Sequence, residues 1–206
     1  MTPFKRLFDV SLVLLGLSML ALPALIVATV LLLCQGRPIF YLSERAKSPQ
    51  QNFLLWKFRT MQVAVDDGGV SGGNKTSRIT PIGKVLRLTR FDEAPQLWNI
   101  LRGDMTFVGP RPPLPIYVDQ FPVLYGQVLQ SRPGLTGLAT LVFHKREAAL
   151  LAGCKSAAET DAIYTRRCIP RKARIDMIYL QKRTFRLDIF ILAQTVWKVL
   201  KKQRSA

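Results

Sequence analysis

Histidine is nearly absent from this chain. His144 stands alone in 206 residues, which excludes a multi-histidine zinc site and argues against a Ser-His-Asp apparatus. Cysteine is scarce as well. Cys34, Cys154 and Cys168 show no metal-ligand spacing and read as free thiols in a reducing compartment. Acidic residues are the third shortage: 13 Asp plus Glu face 30 Lys plus Arg, for a formal net charge of +17. Such an imbalance calls for an anionic partner, whether nucleic acid, an acidic membrane surface or a phosphate-bearing substrate. Hydrophobic residues nevertheless make up 49% of the chain. That combination suits a protein working at a membrane surface better than a soluble nucleic-acid binder. The length is right for one domain with a real core.

Val10 through Cys34 carries no charge. As a helix, at about 1.5 Å per residue, the run reaches across a hydrocarbon layer of ~30 Å. Pro23, near its middle, removes a backbone hydrogen bond and kinks or breaks a helix. Lys5 and Arg6 precede the run, and Arg37, Arg45 and Lys47 follow it. Basic flanks favour the cytoplasmic side. Two basic flanks fit a helix broken at Pro23 with both ends cytoplasmic; an ordinary span is the alternative.

With acids so few, the adjacent pair Asp92-Glu93 stands out, set in Arg87-Leu88-Thr89-Arg90-Phe91-Asp92-Glu93-Ala94-Pro95. Two neighbouring carboxylates among arginines can serve as nucleophile, base or metal site. Pro95 suits the first turn of a helix, which places Asp92 near that helix's positive end. A plain helix cap with Glu in the first turn explains the same residues.

Around this pair, Gly36–Tyr41 reads as a turn and short strand and Phe53–Met61 as a second strand, together a hairpin with Lys57 and Arg59 on one face. Asp66–Ser77 reads as a loop. Its Gly72-Gly73-Asn74-Lys75-Thr76 lacks the glycine before lysine that a phosphate-binding P-loop requires. Pro81–Leu88 leads into the Asp92-Glu93 helix, which ends near Gly103. Gly109-Pro110-Arg111-Pro112-Pro113 presents Arg111 from a stiff loop suited to forking onto phosphate or carboxylate oxygens, with a rigid connector bearing an exposed Arg as the alternative. Arg132-Pro133-Gly134-Leu135-Thr136-Gly137 is another stiff basic turn. Glu147–Leu151, Ile175–Leu180 and Leu187–Leu200 read as helices with apolar faces, lying on a membrane surface or closing a core.

Five motifs then occur in order: Lys57-Phe58-Arg59-Thr60-Met61, Asp92-Glu93-Ala94-Pro95-Gln96-Leu97-Trp98-Asn99, Arg102-Gly103-Asp104-Met105, Val108-Gly109-Pro110-Arg111-Pro112 and Arg132-Pro133-Gly134-Leu135-Thr136-Gly137. Together with Lys5-Arg6-Leu7-Phe8-Asp9 and Leu187-Asp188, they resemble the bacterial sugar transferases, the monotopic phosphoglycosyl transferases, in their minimal catalytic form. The resemblance implies transfer of a sugar 1-phosphate from a nucleotide sugar, usually a UDP-sugar, to a polyprenyl phosphate, through a covalent aspartyl phosphosugar. This is the step that initiates a membrane glycoconjugate: polysaccharide, O-antigen or glycoprotein glycan. It also implies Mg²⁺ and a re-entrant membrane helix. Where the family often has Ser-Pro at the break this chain has Leu22-Pro23, and Ala94 stands where Leu is frequent.

By the same resemblance Asp92 is the nucleophile, and Glu93 holds the magnesium ion with it or assists the acceptor. Arg87 and Arg111 clamp phosphates. Lys57, Arg59 and Arg132 are further substrate-binding candidates, with solvated basic surface as the alternative. His144, Lys145 and the stretch from Glu147 to Ala158 depart from the family pattern and are assigned to sugar choice or a surface insertion. The expected fold is α+β and mostly helical: a small β-hairpin, an N-terminal membrane helix-break-helix over 1–35, and a catalytic domain over 36–206 with interfacial amphipathic helices on the cytoplasmic face of the inner membrane. The competing readings are a non-enzymatic, membrane-anchored binding protein for acidic lipid or nucleic acid, and an ordinary span carrying an adaptor domain. Arginines gathered in proline-stiffened turns around two acids, rather than spread among aromatics, speak against nucleic acid.

Overall fold

The computed structural model describes residues 2–63, 70 and 73–203. Its first element is a long helix, α1 (Pro3–Gln35). Thr2 caps it by accepting from the Lys5 amide, Pro3 occupies a first-turn position where its missing N–H costs nothing, and Gly36 ends it at φ 67°. The expected helix-break-helix is corrected here: the helix is continuous through Pro23. A single absent hydrogen bond, flanked by intact turns, does not interrupt the helical backbone.

The hairpin is longer on its first strand than the sequence suggested. β1 (Phe40–Ser48) pairs antiparallel with β2 (Gln51–Phe58), Tyr41 opposite Lys57 and Arg45 opposite Phe53. Phe53, Leu55 and Lys57 therefore share the inward face with Ser43 and Arg45. Because β2 stops at Phe58, Arg59 does not continue the Lys57 face.

Half of the glycine-rich loop expected over 66–77 lies outside the described residues, and its described end, Gly73–Arg78, is a 3-10 turn. α2 (Pro81–Thr89) follows, capped by the Thr80 hydroxyl. Arg90 then takes a left-handed conformation, φ 62°, and Phe91–Glu93 forms a 3-10 turn. α3 (Gln96–Arg102) begins only after Pro95 and ends at Gly103, φ 82°. Asp92 thus precedes the helix by one turn instead of sitting in it. Pro95 has no N–H to give to residue 91, so α-helical bonding cannot run back through the acid pair.

A second, two-stranded sheet was not anticipated. β3 (Thr106–Val108) runs parallel to β4 (Gly134–Thr136). It forms because Gly109 and Gly134 let two chains meet: a Cβ on Gly134 would lie 2.1 Å from the Gly109 nitrogen. Helices α4 (Pro115–Gln120) and α5 (Pro122–Val128) were also unforeseen. α6 (Leu138–Ala152) is three times the expected length; α7 (Ala157–Ile163), a π-helical turn (Tyr164–Cys168), α8 (Ile169–Lys182) and α9 (Phe185–Gln203) complete the chain. All three cysteines are free, as the sequence indicated.

Three apolar clusters hold these parts. Tyr117, Val128, Phe143, Cys168 and Ile169 join α4, α5, α6 and α8. Val13 of α1 enters a second with Leu55, Ile100, Val108, Tyr179 and Ile191. Leu31, near the other end of α1, packs with Phe58 and Leu86. α1 is therefore fastened to one body at both ends. Its outer side is bare: Leu14, Leu15, Met19, Leu22, Leu25, Ile26 and Leu33 are all exposed. The helix is long and apolar enough to cross a membrane by length and composition. α9 shows both faces expected of it, with Ile191 buried in the core while Phe190, Val196, Trp197 and Leu200 are exposed.

Candidate active site

Glu93 is the electrostatic centre of the acid pair. Its Oε1 accepts from Arg111 Nη2 at 2.8 Å and Lys57 Nζ at 3.3 Å, and its Oε2 from Arg90 Nη2 at 2.6 Å. Burial alone would push this carboxyl upward. Arg111, Lys57 and Arg90 overcome it and hold Glu93 well below the usual carboxylate range. Each cation comes from a different element: Lys57 from β2, Arg90 from the left-handed residue before the turn, Arg111 from the proline-rich loop. In return, Glu93 raises the Arg111 guanidinium.

Asp92 is placed differently. It is buried to 8% exposure, yet no side chain among the described residues hydrogen-bonds its carboxylate. Burial, then the charge of Glu93, raises its pKa above the ordinary aspartate value; Lys57, Arg90 and Arg87 pull the other way. The result is a carboxylate that no described side chain engages, in a field of cations. The more basic oxygen is also the better nucleophile.

Arg87 is fixed through Nε to the Thr60 hydroxyl at 2.8 Å and contributes to the field at Asp92. The structure thus brings together Lys57, Arg87, Asp92, Glu93 and Arg111 of the residues read from the sequence. Arg59 and Arg132 go elsewhere. The Arg59 guanidinium donates to the carbonyls of Gln35 (2.6 Å), Gly36 (2.9 Å) and Arg37 (3.4 Å), closing the C-terminus of α1, where orphaned carbonyls favour a cation. Arg132 lies over Gly103 beside Arg6, at the far end of α3 from the acid pair. Pro23 contributes no side chain to the pair and stands mid-helix.

Two further cations were missed. Arg90 bonds Glu93 directly. Arg45, bonded to Ser43 Oγ at 3.1 Å and to the Pro112 carbonyl at 3.3 Å, is pushed down to about 10 by burial and by the charge of Arg111. Counting by twos along the inward face from Tyr41 would have found Arg45, had the first strand been carried past residue 41. Arg90 had no such signal, since its direction depends on a backbone conformation few arginines adopt.

Among the described residues no cluster of three or more His, Cys, Asp or Glu side chains could hold a metal ion. Glu93, with both oxygens engaged by cations, is not arranged as a ligand. Asp92, with its oxygens free, fits the single carboxylate that Mg²⁺ uses when phosphates and water complete its shell. Five cations around two carboxylates leave the site in positive excess, which suits a diphosphate.

Glu93→Gln should lower stability by roughly 2–3 kcal/mol, less than the ~3–5 of a fully buried pair because Arg90 and Arg111 keep part of their side chains in solvent; chemical denaturation measures it, and an unchanged midpoint would remove Glu93 as the organiser. Burial pushes the Lys57 ammonium down to about 8 despite Glu93. Below that pH Lys57 is charged; above it the charge is lost. Donor kcat/KM should fall through a limb near pH 8 that Lys57→Arg shifts to higher pH, and an unmoved limb would assign it to another group.

The bacterial sugar transferase family matches residues 1–202. A UDP-glucose:undecaprenyl-phosphate glucose-1-phosphate transferase of Klebsiella pneumoniae is 34% identical over 95% of this chain, which spans 40% of that protein. A putative undecaprenyl-phosphate N-acetylgalactosaminyl 1-phosphate transferase of Bacillus subtilis (strain 168) is 38% identical over 57% of this chain and 66% of its own length. The uncharacterized sugar transferase EpsL of the same organism is 31% identical over 95% of this chain and 87% of its own. The chain thus spans two thirds or less of the first two relatives and most of the third. A match from the first turn of α1 to the last of α9, taking in every cation around Glu93, means that the chain belongs to the bacterial sugar transferase family.

Proposed function

We propose that this protein transfers a sugar 1-phosphate from a nucleotide diphosphate sugar, a UDP-sugar by analogy with the relatives, to a polyprenyl phosphate, so starting a membrane-bound glycan. The observation that carries the reading is the division of labour between adjacent acids: Glu93 is tied down by three cations while Asp92 keeps its lone pairs. One carboxylate builds the anion site and the other reacts in it.

In the first step an Asp92 oxygen attacks the sugar-bearing phosphorus. An O–P bond forms, the bond from that phosphorus to the bridging oxygen breaks, and the nucleoside monophosphate leaves with the electron pair. In the second step an oxygen of the polyprenyl phosphate attacks the same phosphorus, the bond to Asp92 breaks, and the carboxylate is regenerated. Two steps avoid driving two phosphate anions directly together. Arg111, Arg87 and Lys57 neutralise the charge that builds on the phosphoryl oxygens, and Arg90 fixes Glu93. Mg²⁺, held by Asp92 and the substrate's own phosphates, would supply further charge neutralisation on the diphosphate.

The tethering of α1 supports the membrane side of this reading. Lys5 and Gln35, near its two ends, both bond the same globular body: Lys5 to Asp188, Gln35 to the Thr80 hydroxyl at 3.1 Å. A helix so fastened lays its bare leucines into one leaflet and keeps both ends on the cytoplasmic face, in line with its basic flanks. In this reading the acid pair works where a lipid phosphate meets a soluble donor.

Incubation with the correct UDP-sugar alone should release one equivalent of UMP and add one phosphosugar mass to the protein. Asp92→Asn should lose both with its folding retained; an adduct on that variant, or none on the wild type under quenching that preserves acyl phosphates, overturns the nucleophile. Cysteines placed at Thr2 and just beyond Gln35 should both label from the cytoplasmic side only. Labelling from opposite sides would establish a span.

A further inference from the structure

The geometry points to a positioning role for the first turns of α1: Lys5, held by Asp188 and Tyr179, sets the backbone that presents Arg111, so that seating of the membrane helix and assembly of the phosphate clamp are one event. This rests on reading Arg111 as part of the clamp.

Lys5 is 9% exposed, Asp188 3% and Tyr179 not at all. The Lys5 ammonium donates to Asp188 Oδ2 and to the Val108 carbonyl at 3.0 Å. Tyr179 Oη lies 2.6 Å from Asp188 Oδ1 and 3.2 Å from the Val108 oxygen. A phenol has one proton to give, and the shorter, charge-assisted contact takes it. Tyr179 therefore orients Asp188, Asp188 holds the ammonium, and Lys5 supplies the hydrogen bond that fixes Val108.

From Val108 the chain has three residues to reach Arg111. Gly109 donates to the Thr136 carbonyl at 2.9 Å and the Pro110 carbonyl accepts from Gly134 at 2.7 Å. Pro110, Pro112 and Pro113 leave little backbone freedom around Arg111, so a shift of Val108 carries through to the guanidinium on Glu93. One helical turn along α1, Asp9 accepts from the Thr106 hydroxyl at 2.6 Å and grips the other end of β3. Arg6 donates to the carbonyls of Ile100 and Leu101, both at 2.6 Å, at the end of the helix that follows the acid pair. Three residues of the membrane helix thus hold both halves of the site. Each lies far from Asp92 in sequence and none contacts it. A buried ion pair is a weak source of stability compared with apolar packing of the same volume, and this one fixes a single carbonyl in place.

A double-mutant cycle on Lys5→Met and Arg111→Ala tests this, read as kcat/KM for the donor in nucleoside monophosphate release from the full chain in lipid. Lys5→Met should lose about ten- to a hundredfold through misplacement of the clamp, and the double variant should be no worse than Arg111→Ala alone. Losses that multiply would overturn the proposal. Tyr179→Phe, which keeps the ring and removes the phenol, is the second variant. It should speed amide hydrogen exchange across 106–113 while leaving the β1–β2 hairpin unchanged; unaltered exchange there would also overturn it. Should the wild type release no nucleotide from any donor, the proposed function fails, and the exchange measurement still decides the positioning role.

Discussion

A carboxylate that cannot be buried alone organises this protein. Glu93 sits in an environment that would expel its charge, and the three cations that keep it ionised come from the hairpin, the left-handed turn and the proline loop. The hairpin and the turn also meet through the stacked rings of Phe58 and Phe91. The ion cluster ties both to the proline loop, and the desolvation cost of each charge is offset only while the rest are in place. Asp92, the nucleophile of the proposed mechanism, inherits its surroundings from that requirement. Asp92 stands in a strong positive field without having to neutralise it.

The second organising element is α1, which serves two solvents. Its inner side contributes Val13 and Leu31 to separate apolar clusters, and its outer side offers a nearly unbroken apolar surface. Polar groups at its ends are not left to the bilayer. Arg59 satisfies the last carbonyls, Thr2 caps the first turn, and Lys5, Arg6 and Asp9 reach into the body. The Arg59 assignment shows how an exposed-looking basic motif can be consumed by structure. A helix terminus needs a cation, and the residue after β2 was the one within reach.

Much of the candidate site was legible in the sequence because it is written in residues with few other uses. Two adjacent acids in a basic chain, and an arginine between prolines, restrict their own interpretation. Lys57 is a candidate through the family resemblance, while the strand alternation that pairs it with Arg59 stops at Phe58. Arg45 was missed because the first strand was ended at Tyr41, and Arg90 because its side chain is aimed by a positive φ. The helical class and the hairpin were readable from periodicity. The parallel pair β3–β4 was not, since three-residue strands carry no period and depend on a close approach of Gly109 and Gly134. The break expected at Pro23 rests on the two basic flanks and the family resemblance, neither of which fixes the backbone, and the helix carries on through it.

Tethering α1 at both ends has a consequence for the bilayer itself. A helix that crosses must match its apolar length to the hydrocarbon thickness, by tilting or by deforming the lipid. In the one-leaflet seating proposed above, a helix moored twice to one body escapes this constraint, because its depth is set by that body and not by the distance to an opposite leaflet. On that proposal the protein is indifferent to whether its host membrane is thick or thin.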